Sequence, residues 1–101
     1  MTDELNNVTP EHPGGFMRLF LMPARDLTPD ALASQSGLPP STVEGIIGGS
    51  VPVTADVATR LATVFGHAAE TLYRMQAALD IYQATGRVPS TDQLPVLGLE
   101  K

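Results

Sequence analysis

The sequence has 101 residues, the length of one domain, and its 6 lysines and arginines against 11 aspartates and glutamates give a formal net charge of -5. Cysteine is absent, which excludes disulfides, a thiolate nucleophile and a cysteine-based zinc site, and which fits a cytoplasmic setting. The N-terminus has neither the basic segment nor the apolar run of a signal peptide. No apolar stretch approaches the ~20 residues of a membrane-spanning helix, so we expect no membrane partner.

The chain divides into three predicted segments. Residues 1–12 form a polar leader, which we expect to be flexible because its asparagine, threonine and proline residues break regular structure. Residues 13–85 form a helical domain. Residues 86–101 form a tail without helical periodicity, which either adds a short extended segment or stays loose.

The first predicted helix runs from Pro13 to about Pro23. A proline suits the first turn of a helix, and a later proline indicates where the helix ends or bends. Phe16, Leu19 and Phe20 recur at helical spacing and form one apolar face.

The second and third predicted helices have clear start and stop signals. Thr28 can cap the second helix and Pro29 fits its first position, while Gly37 ends it in a left-handed conformation. The third helix begins at Pro40 and ends at the glycine pair that starts with Gly48.

The fourth and fifth predicted helices complete an all-α fold of five helices. Thr54 caps the fourth and Gly66 ends it; the fifth runs from about Ala68 to Thr85, before Gly86. The apolar stripe of the fourth helix is Val57, Leu61, Val64 and Phe65. One face of the fifth, mostly core, carries Leu72, Met75, Leu79 and Tyr82. A second apolar stripe, open to a dimer partner, is Tyr73, Ala77, Ile81 and Val88.

The second and third helices have the spacing of a helix-turn-helix. Ala33 is small enough for the close crossing of two helices, and Gly37 tolerates the positive φ of a sharp turn. Val43 and Ile46 then bury one face of the third helix, and Leu32 and Leu38 complete the cluster. A plain helical hairpin in a bundle is the alternative interpretation of the same spacing.

If this is a DNA-binding helix-turn-helix, the third helix enters the major groove with its N-terminal half. Its outward face would include Gly48 and most of the candidate contacts. Hydroxyls can donate to phosphates or bases, a carboxylate can accept from cytosine, and helix N-termini offer N–H groups. The candidate DNA-binding residues are Thr28, Pro40, Ser41, Thr42, Glu44, Gly45, Ser50 and Thr54.

The charge pattern argues for weak DNA binding. Residues 41–51 contain no lysine or arginine, and their one charged residue is Glu44. Phosphate contacts supply most non-specific affinity, so we expect binding that is weak and lost on adding salt. Arg60 and Arg74 are two of the few available cations, unless Asp56, Glu70 or Asp80 pairs with them at helical spacing.

Five stretches, in order along the chain, resemble the HigA-type antitoxins of the Xre/Cro-like helix-turn-helix family. They are HPG at 12–14, LTPDALA at 27–33, GLP at 37–39, VTADVATRLA at 53–62 and MQAALD at 75–80. The resemblance implies a five-helix lambda-repressor-like domain, usually a homodimer, that binds an operator palindrome and represses its own operon. It also implies a small RelE- or HigB-like toxin partner that cleaves mRNA. Recognition roles would fall on Ser41, Thr42, Glu44 and Gly45.

The sequence leaves two other functional classes to consider. One is a protein-interaction module whose DNA-binding face has decayed, and which neutralises a basic toxin through its acidic surface and flexible ends. The other is an enzyme, which we do not expect because no nucleophile motif, metal set or cofactor loop is present. His12 and His67 lack metal-spaced acidic partners, so capping or surface roles are predicted, and no cofactor is expected.

Overall fold

A computed structural model describes residues 10–97, apart from the side chain of Thr91. Three consecutive stretches form the first helix, α1: α-helical Pro13–Phe16, π-helical Met17–Leu21 and α-helical Met22–Ala24. The other helices are α2 (Pro29–Ser36), α3 (Pro40–Gly48), α4 (Ala55–Phe65), α5 (Ala68–Thr85) and a short 3₁₀ turn (Thr91–Gln93). The described residues contain no strand, which confirms the predicted all-α fold of five helices. Most of the predicted leader lies outside the described residues.

Local capping explains where the helices begin and end. The Thr28 hydroxyl accepts a hydrogen bond from the Ala31 amide at 3.1 Å, and the Thr54 hydroxyl accepts one from the Val57 amide at 3.3 Å. Gly37 and Gly49 end α2 and α3 with φ of 78° and 85°, where an L side chain would be strained. These predicted boundaries are confirmed.

α1 buries only part of the apolar face that its spacing indicates: Phe16 is half-buried and packs against the core. Leu19 and Phe20 are 57% and 60% exposed, whereas Met17 and Met22 are buried. In the π-helical turn the Met22 amide donates to the Met17 carbonyl, so these two residues, five apart, face the same side. Ordinary helical periodicity therefore found Phe16 but missed the buried Met17 and Met22.

The hydrophobic core lies where α2, α3, α4 and α5 meet beneath α1. α1 contacts α3 and α5, α2 contacts α3 and α4, and α4 packs along α5. The fully buried larger side chains are Met17, Leu32, Val43, Ile46, Val53, Leu61 and Leu72. Within α5 the buried positions are Ala69, Leu72 and Gln76, whereas the predicted Met75, Leu79 and Tyr82 are only half-buried.

The tail folds back onto α5 as far as it is described. The Leu97 amide donates to the Glu70 carboxylate at 2.7 Å, and the Leu97 side chain packs against the core. The Ser90 hydroxyl, just before the 3₁₀ turn, donates to Asp92 within it at 2.6 Å. This bond, with a backbone hydrogen bond, lowers the pKa of the Asp92 carboxyl. Within residues 10–97, no helix is long and apolar enough to cross a membrane.

Candidate nucleic-acid interface

α2 and α3 form the helix-turn-helix that the sequence predicts. Ala33 is buried at their crossing, and the Gly37 amide donates to the Ala33 carbonyl at 3.0 Å as the chain turns. Within the turn, the Ser36 hydroxyl accepts from the Leu38 amide at 3.3 Å. Val43 and Ile46 are fully buried, so α3 is held by one face, while Ser41 and Glu44 are exposed on the other.

The N-terminal half of α3 is open to a ligand. Pro40, Ser41 and Glu44 are exposed, and Thr42 is half-buried. The residue before α3 is Pro39, and no side chain caps this end of the helix. Backbone N–H groups at an uncapped helix N-terminus favour anions, so this end can approach a phosphate or an acceptor on a base edge.

Gly45 does not lie on the open face, in contrast to the prediction. A Cβ built on Gly45 would overlap the Cγ2 atom of Val51 and come within 3.4 Å of the Ser50 hydroxyl. The loop after α3 folds back over this position, and the Gly45 carbonyl accepts from the amides of Ser50 and Val51 at 2.8 and 3.1 Å. Gly45 is therefore a packing position that lets the loop approach α3.

The loop at residues 49–54 presents the last predicted candidates. Ser50 and Thr54 are exposed, and Ser50 donates to the Gly45 carbonyl at 3.3 Å. Two distant side chains hold this loop: His12 Nε2 lies 2.8 Å from the Val51 carbonyl, and Gln76 Oε1 accepts from the Val53 amide at 2.9 Å. Sequence reasoning missed both contacts, because they join residues 39 and 23 positions apart.

A groove beside the N-terminus of α2 is lined by Arg18, a cation that was not among the predicted DNA-binding residues. Arg18 of α1 lines a cavity of about 330 Å³ together with Thr28, Pro29 and Ile47. Asp26 lines the same cavity and opposes the charge of Arg18. Only the tertiary fold brings Arg18 to α2, since nothing in its local sequence indicates a neighbour there.

The helix-turn-helix itself carries negative charge. Between Thr28 and Thr54 the charged residues are Asp30 and Glu44, with no lysine or arginine. Arg60 of α4 lies against the turn, with an Nη1 atom 3.8 Å from the Cβ position of Gly37, but it pairs with Asp56 at 3.2 Å as predicted. Both partners are substantially exposed, so this pair contributes little to stability and can open to a phosphate.

Comparison with known proteins gives a consistent set of relatives. No protein-family model matches the sequence. The chain is 33% identical over 79 residues to virulence-associated protein I of Dichelobacter nodosus, covering 78% of this chain and 73% of that protein. It is 33% identical to an addiction module antidote protein of the HigA family from Coxiella burnetii, with a TM-score of 0.69 over 78% of this chain and 86% of that one. It is 30% identical to the Pseudomonas aeruginosa antitoxin HigA, solved with the higBA promoter, with a TM-score of 0.68 over 76% and 87% of the two chains.

The two solved structures agree in fold with more than three quarters of the chain. They support the Xre/Cro-like helix-turn-helix class predicted for residues 13–85, with α2 and α3 as its two central helices. The antidote protein and the antitoxin among them are regulators rather than enzymes, in agreement with the prediction of a non-enzymatic protein. The identity, the coverage and the shared helix-turn-helix lead to one conclusion: the chain belongs to the HigA family of addiction-module antitoxins.

Proposed function

We propose that this antitoxin acts in the cytoplasm as a transcriptional regulator, binds operator DNA as a homodimer, represses its own operon and neutralises a RelE-like toxin. The observation that carries the DNA-binding part is the seating of α3. Its inner face is fully buried at Val43 and Ile46, while its uncapped N-terminal half exposes Ser41 and Glu44. A helix held in this way is rigid enough to enter a major groove in one orientation.

Residues around α3 supply the remaining contacts in this proposal. Ser41, Thr42 and Glu44 face the bases, and Ser50 adds its hydroxyl from the loop after the helix when its proton leaves the Gly45 carbonyl. The N-termini of α2 and α4, capped by Thr28 and Thr54, face the phosphate backbone, as does Pro40 at the start of α3. Gly45 contributes by letting the loop close over α3 rather than by touching DNA.

Two arginines flank the helix-turn-helix and replace the cations that it lacks. Arg18 lies beside the N-terminus of α2 and Arg60 lies against the turn. We assign both to phosphate contacts. A pair per protomer is few for an operator-binding protein, which keeps the expected affinity low at physiological salt.

The homodimer is proposed to form along α5. Tyr73, Ala77 and Ile81 are half-buried on one side of this helix, and Val88 beyond it is 46% exposed. Tyr73 is partly buried against the core, which fixes one end of the stripe, while Val88 at the other end is exposed. Covering it with a second copy would remove apolar surface from water and place two α3 helices on one DNA duplex.

A mobility shift assay tests the DNA-binding proposal. The probe is a duplex of the region upstream of the gene that contains an inverted repeat, and its matched control is the same composition in scrambled order. At low salt we expect a shifted band for the repeat at lower protein concentration than for the control. Equal binding to both duplexes, or none at low salt, would remove the regulator function.

The second candidate function, a toxin-neutralising module that does not bind DNA, is favoured by the absence of any lysine or arginine in residues 28–54. An exposed apolar patch also supports a protein partner: Leu19 and Phe20 project from α1, and the Phe20 ring lies 5.4 Å from that of Phe16. The net charge of -5 favours a basic partner.

Co-purification tests the toxin-binding surface that both functions share, whereas the mobility shift assay separates the two functions. The tagged antitoxin is expressed together with the product of the neighbouring gene, as wild type and as the double variant Leu19→Ser, Phe20→Ser. We expect the neighbouring product to be retained by wild type and lost from the variant, with operator binding unchanged. Retention by both proteins would show that the patch on α1 is not the toxin surface.

A further inference from the structure

The imidazole of His12 joins two elements that are far apart in sequence. Its Nδ1 accepts from the Gly14 amide at 3.0 Å, and its Nε2 lies 2.8 Å from the Val51 carbonyl. An amide N–H only donates and a carbonyl only accepts. The ring is therefore neutral in this arrangement, with its proton on Nε2, and both ring nitrogens are used.

The second of these bonds ends on the loop that follows α3. Residues 49–54 begin with a glycine in the left-handed conformation and run to the cap of α4 at Thr54. Gly14 packs against the last turn of α3 so closely that a Cβ built on Gly14 would overlap the Ile46 carbonyl. The HPG stretch at 12–14 thus contacts both the last turn of α3 and the loop after it.

We propose that His12 is a positioning residue for DNA binding: its Nε2–H fixes the loop after α3, so that Ser50 and the end of α3 keep one orientation toward DNA. This rests on the proposed operator binding. Without the bond, a loop that begins with Gly49, directly after the terminal Gly48 of α3, samples other conformations, and ordering it again on DNA reduces affinity. His12 acts through the backbone of Val51 and does not itself touch DNA.

Two substitutions separate the two ring nitrogens. His12→Asn keeps an acceptor near the position of Nδ1, and asparagine is a good helix N-cap, but it cannot reach Val51. His12→Gln places an amide donor near the position of Nε2 and loses the short capping side chain. Both variants are neutral, so the charge of the protein is unchanged.

The experiment measures operator affinity by fluorescence anisotropy at a temperature well below the Tm of both variants. The Tm of each protein is measured separately on the same samples. We expect His12→Asn to weaken operator binding about fivefold, the size of one neutral hydrogen bond, and to lower Tm by no more than the roughly 4–8 °C that the loss of one such bond gives. His12→Gln should recover most of the affinity even where its Tm is lower. A merely structural role predicts the reverse order, with affinity following Tm.

Amide hydrogen exchange provides a reading that does not involve DNA. The Val51 and Val53 amides should exchange faster in His12→Asn than in wild type, with the exchange rates of α4 and α5 unchanged. Unchanged exchange at both amides overturns the positioning role, whatever the affinity for DNA. A different outcome is that the amides exchange faster in His12→Asn but the wild-type protein does not bind the operator. That outcome would contradict the proposed function, and His12 would then only anchor the loop.

Discussion

At the scale of single residues, Gly45 shows what periodicity can and cannot predict. Helical spacing puts this residue on the side of α3 away from Val43 and Ile46, and the spacing is correct. The loop that returns over that side is a tertiary feature: Val51 occupies the space next to Gly45 and hydrogen-bonds to its carbonyl. Sequence analysis therefore predicted the face on which Gly45 lies but not the loop that packs over it.

A pair of glycine substitutions tests this packing. Gly48→Ala lies at the exposed end of α3, where a Cβ meets nothing within 4 Å. It should raise the free energy of unfolding by up to ~1 kcal/mol through helix propensity. Gly45→Ala gains the same propensity but overlaps the stiff Val51 side chain, so it should be less stable than Gly48→Ala by about 1–3 kcal/mol. Chemical denaturation measures both, and equal stability of the two variants would contradict the close contact.

At the scale of helices, start and stop signals were predictable because they are local. Thr28 and Thr54 cap helices through amides three residues away, and Gly37 ends one by its own conformation. The helix faces of α1 and α5 were less predictable. In α1 a π-helical turn places Met22 on the same side as Met17. In α5 the polar Gln76 is buried and accepts from a loop amide, whereas Met75 was the residue predicted for the inner face.

The register of α1 gives a stability prediction. Met17 is fully buried and Leu19 is exposed, although the two are close in sequence and both apolar. Met17→Ala should lower the free energy of unfolding by about 2–5 kcal/mol, because it leaves a cavity in the core. Leu19→Ala should change it by no more than about 0.5 kcal/mol. If urea denaturation gave the larger loss for Leu19→Ala, the π-helical register of α1 would be wrong.

The outer stripe of α5 gives a prediction about assembly. Ile81→Asp places a charge in the middle of the proposed dimer contact, where it would be desolvated, and should convert the dimer to monomer at micromolar concentration. Gln83→Asp adds the same charge on an exposed side of the same helix and should leave the dimer intact. Multi-angle light scattering measures the mass of both. A wild-type monomer, or a dimer that survives Ile81→Asp, would exclude this interface.

At the scale of the whole molecule, the contacts that organise the proposed site are long-range. His12 to Val51 spans 39 positions and Gln76 to Val53 spans 23, and Arg18 reaches the N-terminus of α2 from another helix. None of these has a local signal in a single sequence. The stretches that resemble the HigA-type antitoxins include His12 and Gln76, which hold the loop after α3, but they do not include Arg18.

The net charge of -5 opposes the approach of this protein to the phosphates of DNA. With Arg18 and Arg60 as the phosphate contacts of each protomer, a dimer neutralises about four phosphates. The logarithm of the association constant should then fall with the logarithm of salt concentration with a slope near -4, which removes most of the affinity between low and physiological salt.

The most direct test of α3 as the DNA-binding helix is the salt dependence of operator affinity for Glu44→Lys beside that for Asp92→Lys. Both substitutions change the net charge equally at exposed positions, but only Glu44 lies on the outward face of α3. Fluorescence anisotropy should show that the slope of Glu44→Lys is steeper than wild type by about one per protomer, whatever affinity is lost with the base contact of the carboxylate, while Asp92→Lys keeps the wild-type slope. Equal slopes for the two variants would contradict the claim that α3 faces DNA.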